Sequence, residues 1–279
     1  MSELVDGDDG LPADQVGAWV ADKHRILKAY LDYQAHARVN FLGPRRGGAA
    51  YIDVFCGPGR SRIRNTNTFV DGSPVVAWKA SVDQQAPFTK LYIADKDTVR
   101  RDVCAERLRR LNAPVVVVDG EALEAARSIA EWVDQSGLHG LHFAFVDPYS
   151  LGALRLELLK TLSQIQRIDL LVHLSAMDLF RNLDVELAGE RAEFDAFAPG
   201  WRDNVPDGLP MADQRRAAID YWKHRIDEMG MAASSEMHAI RNSQNRDLYW
   251  LLMLSRHQLA QKFWKIALNQ EPQRGFADF

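Results

Sequence analysis

AYIDVFCGPG, residues 50–59, is the stretch whose reading decides the fold. Tyr51, Ile52, Val54 and Phe55 form a short β-branched and aromatic run that suits a strand buried on both faces. The run stops at Gly57-Pro58-Gly59, where the chain must turn sharply and let something approach its backbone. Two readings of this turn are open. One is an ordinary strand-to-loop reversal; the other is the turn with which α/β proteins build a nucleotide site at the carboxyl edge of a sheet.

Downstream, apolar runs at 90–94, 115–118, 141–146 and 168–174 each read as a further strand, entered from or followed by a helical pattern. Five strands alternating with helices predict an α/β fold with one doubly wound, mainly parallel sheet. Residues 236–242 and 248–254, about a polar turn at 243–246, predict an antiparallel C-terminal hairpin, and 258–269 a last helix. Residues 177–231 break the alternation and predict a helical insertion that caps the active edge. Upstream, Val16, Trp19, Val20, Ile26, Leu27, Tyr30 and Leu31 predict one helix from 12 to about 42. Residues 60–72 carry no periodicity and read as a loop, after which Ser73 and Pro74 are suited to cap and open a helix. The acidic start, 1–11, reads as a disordered tail ahead of a single domain, 12–279.

Of 279 residues, 47% are hydrophobic and 26% charged, enough apolar material for one large core. A net charge of −4 argues against indiscriminate coating of DNA and leaves local basic patches open. No apolar run is long enough to span a bilayer, and the start lacks the basic and apolar regions of a signal peptide. Two cysteines, Cys56 and Cys104, give neither a disulfide framework nor metal-ligand spacing. A cytoplasmic protein without a metal site is the expectation.

Candidate ligand residues fall at strand ends. Gly57 and Gly59 admit close approach, and Asp95, after the second strand, can accept two hydrogen bonds from a ribose diol. Asp97 can cap the helix that follows. At the end of the fourth strand stand Asp147-Pro148-Tyr149. The carboxylate can hold a polar group, the proline fixes the turn, and the ring can stack on a planar partner; the same residues also suit a plain turn. Lys23-His24, within the first helix, is open to a solvated lysine beside a half-buried histidine or to a ligand role.

Taken together these residues resemble the Rossmann-like S-adenosylmethionine-dependent methyltransferases. Asp53 to Gly59 is similar to their first motif, Asp95 to the ribose-binding acid, Asp119 to the residue near adenine, and Asp147-Pro148-Tyr149 to the fourth motif. The antiparallel C-terminal hairpin is also that family's way of finishing the sheet. More closely, Lys23-His24 with Tyr30, the 51–59 stretch, Gly72-Ser73-Pro74, Val146 to Tyr149, Arg181-Asn182, Leu248 to Leu251 and Phe263-Trp264 resemble the three-Cys-motif partner protein family, TcmP. The resemblance implies S-adenosylmethionine as cofactor, held by Lys23, His24, Asp53, Gly57, Gly59, Asp95 and Asp119. It implies Asp147, Pro148 and Tyr149 as catalytic residues acting on an amine, with nucleic-acid adenine favoured, and a three-cysteine-motif protein as partner. Two departures stand out: the fourth motif of amino methyltransferases is usually Asp-Pro-Pro-Tyr, and Ser61 occupies the third glycine position of the first motif. A module that binds the partner without catalysis, and a methyltransferase for protein or small molecules, are the alternatives.

Overall fold

The computed structural model describes residues 3–135, 140–206, 208–242 and 244–269. In chain order the strands are β1 Leu4–Asp6, β2 Pro12–Val16, β3 Ala50–Asp53, β4 Arg60–Ile63, β5 Phe69–Asp71, β6 Lys90–Ile93, β7 Val115–Val117, β8 His142–Val146, β9 Ile168–Leu174, β10 Ala232–Ala233, β11 His238–Arg241 and β12 Asp247–Ser255. The helices are α1 Val20–Arg38, α2 Ser73–Asp83, α3 Thr98–Arg110, α4 Ala122–Gln135, α5 Leu156–Ser163, α6 Ala176–Leu187, α7 Phe194–Phe197, α8 Met211–Glu228 and α9 Gln258–Leu268.

The main sheet runs β10-β12-β9-β8-β3-β6-β7, with β11 also on β12. Strands β3, β6, β7, β8 and β9 are mutually parallel. Strand β12 is antiparallel to β9, to β10 and to β11, so the expected C-terminal hairpin is present. Period two sorts its side chains into two cores. Ile52, Ala144, Val146, Leu170, Val172, Leu252 and Leu254 pack on one face. Tyr51, Phe143, Phe145, Leu171, Leu251 and Met253 pack on the other, which α1 and α9 cover. This is a doubly wound, mainly parallel, Rossmann-like sheet, and its five parallel strands end on one edge.

Three expectations fail near the start. The first is the disordered tail: β1 and β2 form an antiparallel hairpin, with Gly7 N–H donating to the Leu11 carbonyl at 3.0 Å. The helix expected from residue 12 begins at Val20, because Val16 belongs to β2 and shares the helical spacing only by coincidence. The expected loop at 60–72 is a second hairpin, β4-β5, turned at Asn65 with φ 61°. Strands of three to five residues are too short to show a period. Together the four make a separate sheet, β1-β2-β4-β5, in which β2 and β4 are parallel.

The insertion is helical as expected, α6 to α8. Trp201, Trp222 and Phe197 sink into the first core, and α8 packs along β10. At the active edge Glu193 and Ala196, of the α7 segment, line the cleft described below. Ser243 of the expected turn, residues 1–2 of the expected tail and the chain from 270 lie outside the described residues.

Candidate functional site

Strands β3, β6 and β8 carry their terminal residues to one cleft of about 700 Å³. Lys23, His24, Gly57, Gly59, Asp95, Asp147 and Tyr149 all line it, so most of the residues singled out in the sequence meet in space. The glycine turn forms because Gly57 and Gly59 adopt φ of 54° and 78°, a region costly to other residues. Gly72 fits against it backbone to backbone: its N–H donates to the Gly59 carbonyl at 2.8 Å.

Asp53 sits behind the turn, fully buried, and does not line the cleft. Its Oδ1 accepts Phe55 N–H at 3.1 Å, and Oδ2 accepts the hydroxyls of Ser73 at 2.7 Å and Tyr51 at 3.0 Å. Burial pushes its carboxyl up to about 7 against those hydrogen bonds. It therefore shapes the turn rather than facing a ligand. Ser73, expected to cap α2, spends its hydroxyl here, and Gly72 is the capping residue.

Asp95 accepts Gly57 N–H at 3.0 Å on one oxygen and Asp97 N–H at 2.9 Å on the other. Each oxygen keeps a lone pair for a ligand hydroxyl. Burial raises its proton affinity, and the two backbone donors oppose that. Asp97 caps α3, accepting Val99 and Arg100 N–H. Asp119, expected near a bound base, lies off the cleft: its side chain is 92% exposed and pairs with Arg101, while Glu121 takes the cleft wall.

Asp147 is the electrostatic centre. Lys23, from α1, pairs with its Oδ2, and Nδ1 of His173, from β9, stands 2.6 Å from Oδ1. That approach is within ion-pair range but lacks hydrogen-bond geometry. Burial works to raise the Asp147 pKa, but Lys23 and His173 overcome it and hold the group below the usual carboxylate range. Burial lowers His173 below its ordinary value, with Asp147 opposing. His24 is pushed down to about 3 by burial and by Lys23. Tyr249 packs edge-on against His173 at 4.1 Å, and among the described residues nothing hydrogen-bonds its buried hydroxyl or His24 Nδ1.

Pro148 is buried behind Asp147 and does not line the cleft, whereas Tyr149 is 69% exposed at its mouth with Lys96 Nζ 4.2 Å from the ring centre. The turn is anchored from the insertion. Asp178 accepts Leu151 N–H at 2.7 Å and is in turn held by Asn182.

Sequence reading missed His173, Asp14, Arg100 and Glu193. An isolated polar residue near the carboxyl end of IDLLVHL was a usable signal for His173. Nothing comparable marked the others, which come from short strands, a helix face and the insertion.

The fold and this strand-end cleft define the class, a Rossmann-like α/β architecture with a ligand cleft at the carboxyl ends of its parallel strands. No family model and no curated protein sequence matches the chain. Among solved structures it is similar to a Legionella pneumophila str. Philadelphia 1 protein of the family model DUF519, with TM-score 0.52 and 10% identity over 88% of this chain and 90% of that one. Magnesium protoporphyrin IX methyltransferase from Synechocystis PCC 6803, crystallised with bound SAH, is similar at TM-score 0.43 and 11% identity over 85% of this chain and 84% of that one. The methyltransferase domain of bacterial CtHen1 gives TM-score 0.42 and 10% identity over 84% and 97%. At such identities the likeness is one of fold. Among the described residues no helix is long and apolar enough to cross a membrane, and no group of three metal-ligating side chains is present.

Proposed function

We propose that this chain is an S-adenosylmethionine-dependent methyltransferase that transfers to an amine, nucleic-acid adenine being the favoured acceptor, and that it works with a three-cysteine-motif partner of the kind its resemblance to TcmP implies. The observation that carries the reading is the clamped Asp147 carboxylate on the same cleft as the Gly57–Gly59 turn and Asp95.

The residues present fit the cofactor. Gly57 and Gly59 leave room for a close-lying nucleoside, Asp95 keeps a lone pair on each oxygen for a ribose diol, and His24 keeps a buried nitrogen without a partner among the described residues. When bound, the cofactor supplies an electrophilic methyl group on a sulfonium. The protein's task is to orient and desolvate the acceptor. Asp147 stays ionised and accepts a hydrogen bond from the acceptor amine, while Tyr149 offers a stacking face at the mouth. An acceptor base within a duplex would have to be flipped out to reach the cleft.

A second reading has two observations in its favour. Both oxygens of Asp147 are already engaged, and the second proline of the fourth motif is absent, as suits a module that binds its partner without transfer. The deciding experiment is transfer of labelled methyl from S-adenosylmethionine to RNA, DNA and the partner, with calorimetry of cofactor binding alongside. Binding without transfer to any acceptor selects the second reading, and absence of cofactor binding removes the first.

A further inference from the structure

The hairpin β1-β2 stands where a disordered tail, 1–11, and the start of a helix were expected, and its second strand supplies two residues, Asp14 and Val16, to the wall of the cleft. Oδ2 of Asp14 lies 3.5 Å from where a Cβ on Gly57 would stand, which places this hairpin directly against the glycine turn.

A short parallel ladder to β4, Asp14 to Val16 beside Ser61 to Ile63, and a set of ion pairs hold the hairpin down. Asp8 takes Arg60 at 2.6 and 3.0 Å, Asp9 takes Arg107 at 2.7 and 2.8 Å, and Asp14 takes Arg100 at 3.1 Å. Arg107 is nearly buried and also donates to the carbonyls of Leu11 at 2.9 Å, Pro12 at 2.8 Å and Pro58 at 2.6 Å. One guanidinium thus ties the hairpin to the middle residue of Gly57-Pro58-Gly59. The hydrogen bonds from Arg60 and Arg107 hold Asp8 and Asp9 below the usual carboxylate range.

The apolar contribution is small. Of residues 3–16 only Ala13 is a buried hydrophobic, and none belongs to either core. Elements with few buried apolar contacts open at low free energy. Partly exposed acid–base pairs weaken as salt screens them. This hairpin is therefore built to lift as a unit, and lifting it removes both a cleft wall and a tether on the glycine turn.

We propose that residues 3–16 belong to the methyl-donor site and gate it, with Asp8–Arg60, Asp9–Arg107 and Asp14–Arg100 as latches that must open for the nucleoside ligand to exchange. The proposal rests on the cofactor reading above. With the gate shut, Asp14 and Val16 confine the ligand; with the latches released, Arg107 no longer joins hairpin to turn.

The test uses the full chain and S-adenosylhomocysteine as probe. Wild type and the Asp8→Asn/Asp9→Asn variant are compared for probe release by displacement kinetics, at low and high salt, with hydrogen exchange followed over residues 4–16. Expected are release about tenfold faster in the variant, faster release of wild type at high salt, and protection of 4–16 when probe binds. Both acids are on the surface side of their pairs, and an unchanged melting transition of the main sheet checks that the variant folds. Equal release rates in both proteins and at both salts, with no protection of 4–16, overturn the gate while leaving cofactor binding intact. Failure of wild type to bind the probe at all overturns the cofactor reading and the gate with it, a result calorimetry tells apart from the former.

Discussion

His173 Nδ1 stands 2.6 Å from one oxygen of Asp147 while Lys23 holds the other, so a single carboxylate at the end of β8 is fixed from two elements, α1 and β9. The consequence for stability differs between the two partners. Lys23→Met leaves a nearly buried carboxylate without its counter-ion, and should cost about 3–5 kcal/mol by denaturant unfolding. His173→Leu keeps the ion pair and should cost far less. It should slow methyl transfer about tenfold while cofactor affinity stays constant, since only the orientation of Asp147 is lost. Equal destabilisation by the two substitutions would show that the lysine is not the principal counter-ion.

Asp53 gives a pH signature of the opposite sign to a salt-bridged acid. Its folded-state pKa, about 7, lies above the ordinary aspartate value of 3.8. The native state then binds more protons than the unfolded chain between those values, so this group's contribution to stability is full below the lower value and is lost as pH rises through the upper one. Melting temperature followed across that window should fall less steeply in Asp53→Asn than in wild type. Asp147, held below its ordinary value, should contribute the reverse, stability lost only as the solution becomes strongly acidic.

Gly72, itself on the cleft wall, tests the turn through backbone packing. A Cβ there would stand 2.8 Å from Cα and 2.9 Å from the carbonyl carbon of Gly59, backbone that cannot swing aside. Gly72→Ala should destabilise by about 1–3 kcal/mol, as overpacking does, and should weaken cofactor binding because Gly59 must shift. Calorimetry and thermal melts report the two effects separately.

Asp95→Ala removes an acceptor that serves both a ligand diol and Gly57 N–H. Loss of a charged hydrogen-bond acceptor costs about 1.5–3 kcal/mol, so affinity for S-adenosylhomocysteine should fall roughly ten- to hundredfold by calorimetry. Unchanged affinity would take Asp95 out of the site.

The parts of the fold readable in the sequence were those with long or paired signals. Each main-sheet strand from β3 to β9 carried a mainly apolar run, and β12 the apolar run 248–254, so even the antiparallel ending was legible. Strand β2 was not, because PADQV buries only Ala13 and is held by side chains of α3 lying about ninety residues further on. The misplacement of Asp119 has a similar origin. Its position after a strand could be read, but the direction of its side chain is set by Arg101. Asp53 was placed correctly at the turn and assigned the wrong side of it, since only packing reveals that Ser73 and Tyr51 already fill its hydrogen bonds.

Asp147 separates enzyme from silent module. A residue that merely starts a turn tolerates Asn, which makes the same local bonds. A residue that receives an amine proton needs an acceptor on each side, and Asn turns one of them into a donor. Here the constraint is tighter, because Lys23 and His173 already approach both oxygens. Asp147→Asn would present an amide N–H to one of them and forfeit the ion pair. The expected outcome is retained fold and cofactor affinity, with methyl transfer to RNA or DNA lowered roughly 100-fold or more. Tyr149→Ala should lower transfer to base acceptors by the loss of a stacking platform worth about 1–3 kcal/mol, with cofactor binding unchanged, since its ring lies exposed at the mouth. The assay needs the three-cysteine-motif partner present, because the proposed acceptor is presented in its company. Equal transfer by wild type and Asp147→Asn would refute a catalytic role for the carboxylate. Cofactor binding by wild type with no transfer under any of these conditions would instead assign the clamp of Lys23, Asp147 and His173 to holding a binding module in shape.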